Sequence, residues 1–319
     1  LRTFRNKDYD MHRRELLTMA GSAAALALAP RLAVAQERPL VFAFQPQRDP
    51  ASIRAAADQM AAAVSRVLGR PVEVLIPGAY TATVQALVAR QADVAWLSSL
   101  PFLLARRDGG ARLILAEVRT DPSGKARTDY DSVLVVRADS PLRSFADFRR
   151  EAKRLRMCFT SPTSTSGYII PYSRLVAEGM LERREPVERA FAQVSYGGGY
   201  TQALEQVAQG RADVAAVSDY TMEGPRADVY LPAATRAQLR VLARIPGVPT
   251  HLVAVRGGLE PALARRIQAA LLQVSRENPK LLSDVYGASA LAAVDEARHV
   301  RATVDAIERT GLPIQGLVR

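Results

Sequence analysis

From Leu40 onward the chain alternates short apolar runs with longer stretches whose apolar residues recur every three or four positions. LVFAFQP, at 40–46, predicts a buried strand. Ile53, Ala57, Met60, Val64, Val67 and Leu68 share one face of a predicted helix, and Gly69 ends it. PVEVLIP, at 71–77, predicts the next strand. Strands alternating with helices of about 10–15 residues predict an α/β fold with mainly parallel sheets.

One pattern occurs twice. YTATVQALVARQADVAWLS at 80–98 and YTQALEQVAQGRADVAAVS at 200–218 align without a gap, with 7 of 19 positions identical. Each copy reads as loop, helix, turn and strand. The tyrosine stands at the helix start, and Ser98 or Ser218 stands just beyond the strand. Two similar lobes follow from this, each turning a helix N-terminus and a strand end toward a shared cleft, where open sheets bind ligands. SVLVVRADSPLRSFADF (132–148) and VLARIPGVPTHLVAVRGGL (241–259) read as the crossings between them. The expected division is residues 36–139 with 241–319 in lobe 1 and 140–240 in lobe 2, the helical stretch 261–287 closing lobe 1.

The first 35 residues stand apart. Met11-His-Arg-Arg leads into the apolar MAGSAAALALAP and ends in Ala33-Val-Ala35. A charged start, a short apolar middle and a small-residue end predict an export signal, and Arg13-Arg14 followed by Leu16-Leu17 resembles the twin-arginine type. Residues 1–10 read as an upstream extension, and the expected location is the periplasm. Beyond the signal no apolar run reaches the length that spans a bilayer.

Charge and composition narrow the partners. The formal net charge of +11 favours anions by long-range attraction, but the basic residues are scattered without aromatic interleaving, so nucleic acid is not an expected partner. Catalysis finds little support. The chain after the signal has two histidines: His299 lies on a polar, solvated helix, and His251 is read as structural rather than a cleft residue. Nucleophile-elbow, zinc-protease and phosphate-loop motifs are missing, so no enzyme activity, cofactor or metal is expected.

SPTSTSGY, at 161–168, links the strand RLRMCF to the helical YIIPYSRLVAEGML. The first N–H groups of a helix lack intrahelical partners and carry the positive end of its dipole. Ser164, Thr165 and Ser166 add hydroxyl donors there, and Gly167 permits close approach, which makes a neutral anion nest. A capped polar loop is the competing reading. Placement on the second lobe, at the same end as Tyr200 and Ser218, favours the nest. Cys158, the single cysteine, is either a small buried hydrophobe or a thiol ligand for a soft species.

These segments, in this order, resemble the phosphonate- and phosphite-type periplasmic binding proteins. PTSTSGY resembles their P-x-S-T-S-G segment, GAYTATVQALVARQADVAWLS their first-lobe tyrosine and helix, and YDSVLVVRADSPLRSFADF their crossing. The resemblance runs through most of residues 40–255. It implies a two-lobed type II periplasmic binding protein that passes a small oxyanion to the permease of an ABC importer, acting as a monomer. Tyr80 and Tyr130 would then contact the ligand from one side, and Ser164, Thr165 and Ser166 from the other; Ser98, at the strand end of the first repeat, is a further candidate contact. The family usually has a histidine where this chain has Tyr200, and a carboxylate near the strand end where it has Ser218-Asp219-Tyr220. Either Asp219 serves in a changed register or Tyr220 replaces it. Phosphite or a related oxyanion stays compatible with the lost histidine. Arsenite-sensing relatives that feed a histidine kinase offer the alternative, with Cys158 as the ligand.

Overall fold

A computed structural model describes residues 37–314, so the export signal expected in the first 35 lies outside the described residues. The chain begins with strand β1 (Leu40–Phe44), helix α1 (Pro50–Leu68), β2 (Val72–Leu75), α2 (Tyr80–Val88), β3 (Val94–Leu97) and α3 (Ser99–Gly109). β4 (Arg112–Thr120), β5 (Ala126–Arg127) and β6 (Asp129–Arg137) follow, then α4 (Phe145–Glu151), β7 (Arg156–Phe159) and α5 (Ile170–Ala177). β8 (Gln193–Tyr196), α6 (Tyr200–Ala208), β9 (Val214–Ser218), α7 (Ala233–Arg236), β10 (Leu239–Pro249) and β11 (Leu252–Val255) come next. The chain closes with α8 (Pro261–Glu277), α9 (Pro279–Tyr286), β12 (Ala290–Ala292), α10 (Glu296–His299) and α11 (Arg301–Thr310).

Local chemistry sets these limits. The Asp49 carboxylate accepts from Ser52 N–H at the start of α1, Pro50 occupies its first turn, and Gly69 closes it in the left-handed region at φ 65°. The buried face of α1 holds Ile53, Ala57, Met60, Val64 and Leu68, whose spacing predicted the helix, but Val67, read onto the same face, is exposed.

Two sheets form. One runs β12-β4-β11-β3-β1-β2 with β5 on β4, and the other β10-β6-β9-β7-β8. Both contain the same parallel triad: β2-β1-β3 in the first and β8-β7-β9 in the second. The repeated segment supplies the same helix and third strand to each, so its kinship is topological as well as sequential. Its aspartates act alike too. Asp93 accepts from Val41 N–H and binds Arg256, while Asp213 accepts from Arg156 N–H and binds the Arg156 side chain.

The sheets are mixed rather than mainly parallel, because all pairings of β4, β6, β10 and β11 are antiparallel. These strands carry the chain from sheet to sheet without a crossover helix, and only such crossovers produce parallel neighbours. Strand content also places the exchange points at Thr128 and Thr250, where Thr250 N–H and Oγ1 both bind the Thr128 carbonyl. β6 and most of β10, which the sequence suggested as first-lobe or crossing segments, thus belong to the second sheet. Helices α8 and α9 pack on α1 beside the first sheet. α11 packs on α5 beside the second sheet, with Arg309 donating to Ser173 Oγ and the Thr310 carbonyl accepting from Arg184 N–H.

Candidate functional site: a hydroxyl cluster between two sheets

The carboxyl ends of the six parallel strands face one another, and six loops leave them. From the first sheet come Gln45–Asp49, the turn into Tyr80, and Ser98–Ser99. From the second come Thr160–Ile169, Gly197–Tyr200 and Ser218–Tyr220. Open α/β sheets hold ligands at such ends.

The loop after β7 gives its three hydroxyl residues three different tasks. Ser164 caps the turn by accepting from Gly167 N–H at 3.0 Å. Thr165 reaches across to the first sheet, where its Oγ1 accepts from Leu100 N–H at 2.8 Å and from Ser99 Oγ at 3.3 Å. Ser166 is the centre of the cluster. Its hydroxyl lies 2.8 Å from Ser218 Oγ and 3.0 Å from Tyr200 OH, and accepts from Tyr130 OH at 3.2 Å. Ser132 on β6 fixes the loop backbone by donating to the Ser166 carbonyl at 2.7 Å. A π-helical turn, Thr165–Ile169, precedes α5, in place of the α-helical start that the sequence indicated. Gly167 is demanded by space: a Cβ there would stand 2.2 Å from Thr160 Oγ1.

Tyr80 completes the ring from the first sheet. Its hydroxyl is buried without a hydrogen-bond partner, and burial followed by the neighbouring Tyr200 and Tyr130 phenols holds its pKa well above the usual value. Burial does the same for Tyr130 and Tyr220. Ser98 turns to its own side: its N–H donates to Gln45 Oε1 at 3.2 Å, and its Oγ accepts from Gln45 Nε2 at 3.4 Å.

Behind this ring lies a second layer. Tyr220 OH donates to Gln47 Oε1 and lies 3.4 Å from His251 Nδ1. The His251 ring is stacked on Tyr130 and edge-on to Tyr200, and burial followed by the Arg119 charge keeps it neutral. Arg119 lies over the Tyr220 face at 3.6 Å and binds the buried Glu117 at 2.8 Å. Asp219 binds backbone rather than Ser166. Its carboxylate accepts from Asp131 and Tyr220 N–H, and burial raises its pKa to about 6. Asp219, Tyr220, Tyr130 and Arg119 line a pocket of about 320 Å³ beside the cluster.

Residues 42–299 match the family of periplasmic substrate-binding proteins of phosphonate ABC transporters. The chain belongs to this family. It is 24% identical over 176 residues to the phosphate-import protein PhnD of Mycolicibacterium smegmatis, covering 54% of this chain and 53% of that protein. It thus spans about half the length of the curated relatives it matches. Its fold is similar to the binding component of a Pseudomonas aeruginosa ABC phosphonate transporter, with a TM-score of 0.72 at 20% identity over 88% of this chain and 95% of that one. PhnD1 of Prochlorococcus marinus, solved with methylphosphonate, has a TM-score of 0.72 at 17% identity over 85% of this chain and 98% of that one. Members of the family are substrate-binding components of transport systems outside the cytoplasm. Among the described residues no helix is long and apolar enough to cross a membrane.

Of the residues singled out in the sequence, the structure joins Tyr130, Ser166 and Tyr200 directly and sets Tyr80 beside them. Ser164 and Thr165 are committed to the cap and the opposite sheet, while Ser98, Asp219 and Tyr220 border the cluster without bonding to Ser166. Cys158 is buried in the core, its thiol bonded to the Phe159 carbonyl and raised in pKa by burial. His299 is half-buried rather than fully solvated as its polar helix implied: Nε2 lies 3.0 Å from the Thr250 carbonyl, where the chain passes between sheets. His251, read as structural, is part of the layer behind the ring.

Gln45, Gln47, Arg48, Glu117 and Arg119 were missed. For the first three a signal existed. β1 occupies in the first triad the position of β7 in the second, so the loop QPQR is the counterpart of the SPTSTSG loop.

Proposed function

We propose that the chain is a periplasmic solute-binding protein that captures a small phosphorus oxyanion, such as phosphite, a phosphonate or a phosphate-like species. It would deliver the ligand to an ABC importer permease as a monomer, without chemical conversion. The convergence of Tyr130, Tyr200 and Ser218 on Ser166, with the unpartnered Tyr80 hydroxyl beside them, carries this reading. An oxyanion needs donors, and the Tyr80 and Tyr130 phenols, whose pKa is raised by burial, remain protonated donors at any physiological pH. In the present arrangement these hydroxyls satisfy one another. A bound anion would take over those bonds as a group, and release would break no permanent ion pair.

The neighbouring pocket of about 320 Å³ has room for an organic substituent on phosphorus, which favours phosphonates alongside phosphite. The arsenite-sensing alternative draws no support from the site, since the Cys158 thiol belongs to the core.

Thermal melting and calorimetry with phosphite, methylphosphonate, phosphate and arsenite test the reading. A ligand that binds only the folded state raises Tm, by about 2.7 kcal/mol of stabilisation at a hundredfold excess over Kd. At least one phosphorus oxyanion is expected to do so. No shift with any of the three, or a shift with arsenite alone, defeats it.

A further inference from the structure

Besides Arg48, four ionisable side chains with less than a tenth of their surface exposed lie among the described residues: Asp93, Glu117, Arg119 and His251, of which the last is neutral. Asp93 is paired with Arg256, and Glu117 with Arg119. Arg48 is 8% exposed and has no carboxylate within ion-pair distance among the described residues. Its guanidinium instead binds two carbonyls, Nη1 donating to Val229 at 3.1 Å and Nη2 to Asp284 at 2.6 Å, while Nε–H is left without a partner.

Those two carbonyls stand on opposite sides of the cleft. Val229 belongs to the segment between β9 and β10 of the second sheet, and Asp284 to the last turn of α9, which packs on α1 beside the first. Arg48 therefore stitches the two sides together. Neighbouring contacts do the same: Tyr200 N–H donates to the Gln47 carbonyl at 2.8 Å, and Tyr230 OH to the Tyr286 carbonyl at 2.7 Å. An ion pair also crosses here, Arg226 to Asp284 at 3.2 Å, but Arg226 is a third exposed and fully paired. Among the described residues, Arg48 alone crosses the seam as a buried charge with no counter-ion.

A buried cation without an anion is costly, and the carbonyls of a helix end offset it only in part. Arg48 leaves β1 in the loop that corresponds to the SPTSTSG loop, three residues beyond Gln45 and next to Gln47, which holds the Tyr220 and Tyr230 hydroxyls. We propose that Arg48 couples closure to the charge of the bound solute: the closed seam buries its charge, and an anion at the Ser166 cluster supplies the missing countercharge. Closure on a neutral, hydroxyl-rich solute would leave Arg48 uncompensated, so the residue selects anions without touching them. This rests on the oxyanion reading above.

The test compares Arg48→Gln, Arg48→Lys and Arg48→Met with the wild type. Calorimetry with phosphite and methylphosphonate is expected to show a loss of affinity of about tenfold or more in Arg48→Gln, the scale of a buried charge interaction, with most of it restored in Arg48→Lys. A smaller loss in Arg48→Gln overturns the proposal, as does a lysine variant as weak as the glutamine one. On this proposal the ligand-free seam opens and solvates the charge, so Arg48→Met is expected to keep Tm within about 2 °C of the wild type. A larger fall makes Arg48 a structural residue and overturns the proposal. If the wild type binds no phosphorus oxyanion, the functional reading fails by itself, and the ligand-free comparison decides on Arg48.

Discussion

The Ser166 hydroxyl lies 3.0 Å from the hydroxyl of Tyr200, the residue that opens α6 and repeats Tyr80 at the start of α2. One bond thus joins the loop after β7 to the repeated helix. Ser166→Ala strips Tyr130, Tyr200 and Ser218 of a shared partner. Oxyanion affinity is expected to fall by about tenfold or more, and stability by about 1–3 kcal/mol from the unsatisfied hydroxyls. Calorimetry and denaturant melts read the two effects separately; unchanged affinity would remove Ser166 from the site.

Thr165 makes a different prediction because its hydroxyl accepts from Leu100 N–H across the cleft. Thr165→Val keeps the shape and removes that acceptor. The expected cost is about 1 kcal/mol, seen as faster ligand dissociation in stopped-flow traces. A variant with slower association and unaltered dissociation contradicts a latch.

Gly167→Ala should damage the loop outright. The new methyl would sit 2.2 Å from Thr160 Oγ1 and 2.9 Å from Ser164 Oγ, the cap of the same turn. Overpacking of this kind costs about 1–3 kcal/mol and shifts the backbone. Loss of ligand binding together with a lowered Tm is expected, and a fully active variant would show that the turn has slack.

Asp219 sets a pH dependence. Burial raises its pKa from 3.8 to about 6, so between those values the folded chain holds a proton that the unfolded chain has lost. Its contribution is therefore most favourable below pH 4 and is lost as pH climbs through 6. The full effect amounts to roughly 3 kcal/mol at most. Asp219→Asn, which keeps a carbonyl acceptor, is expected to flatten this part of the ligand-free stability profile and to gain on the wild type above pH 6. Parallel profiles for the two proteins would count against a raised carboxyl.

Cys158→Ala separates core from ligand roles. The thiol is fully buried, so the substitution is expected to cost about 1 kcal/mol of stability and to leave oxyanion affinity within about twofold. A large change in affinity would bring the thiol back as a ligand.

The amino-acid pattern alone determined the α/β alternation, the helix over Ile53–Leu68 and the two related helix–strand units, because periodicity and caps are written locally. It also marked Tyr80, Ser166 and Tyr200, since a glycine-hydroxyl loop and a doubled Tyr-Thr motif are visible in one dimension, while Tyr130 came only from the family resemblance. Tertiary structure decided how those hydroxyls divide their work. Ser164, Thr165 and Ser166 are consecutive, yet their side chains leave the chain in three directions, and only packing chooses which meets Tyr200. It also decided that Arg119 lies on Tyr220, that His251 enters the layer behind the ring, and that α11 sits on α5. Buried polar partners far apart in sequence, such as Arg48 with Val229 and Asp284, follow from how two sheets close on each other. No local preference encodes that meeting, because it depends on the geometry of the whole fold.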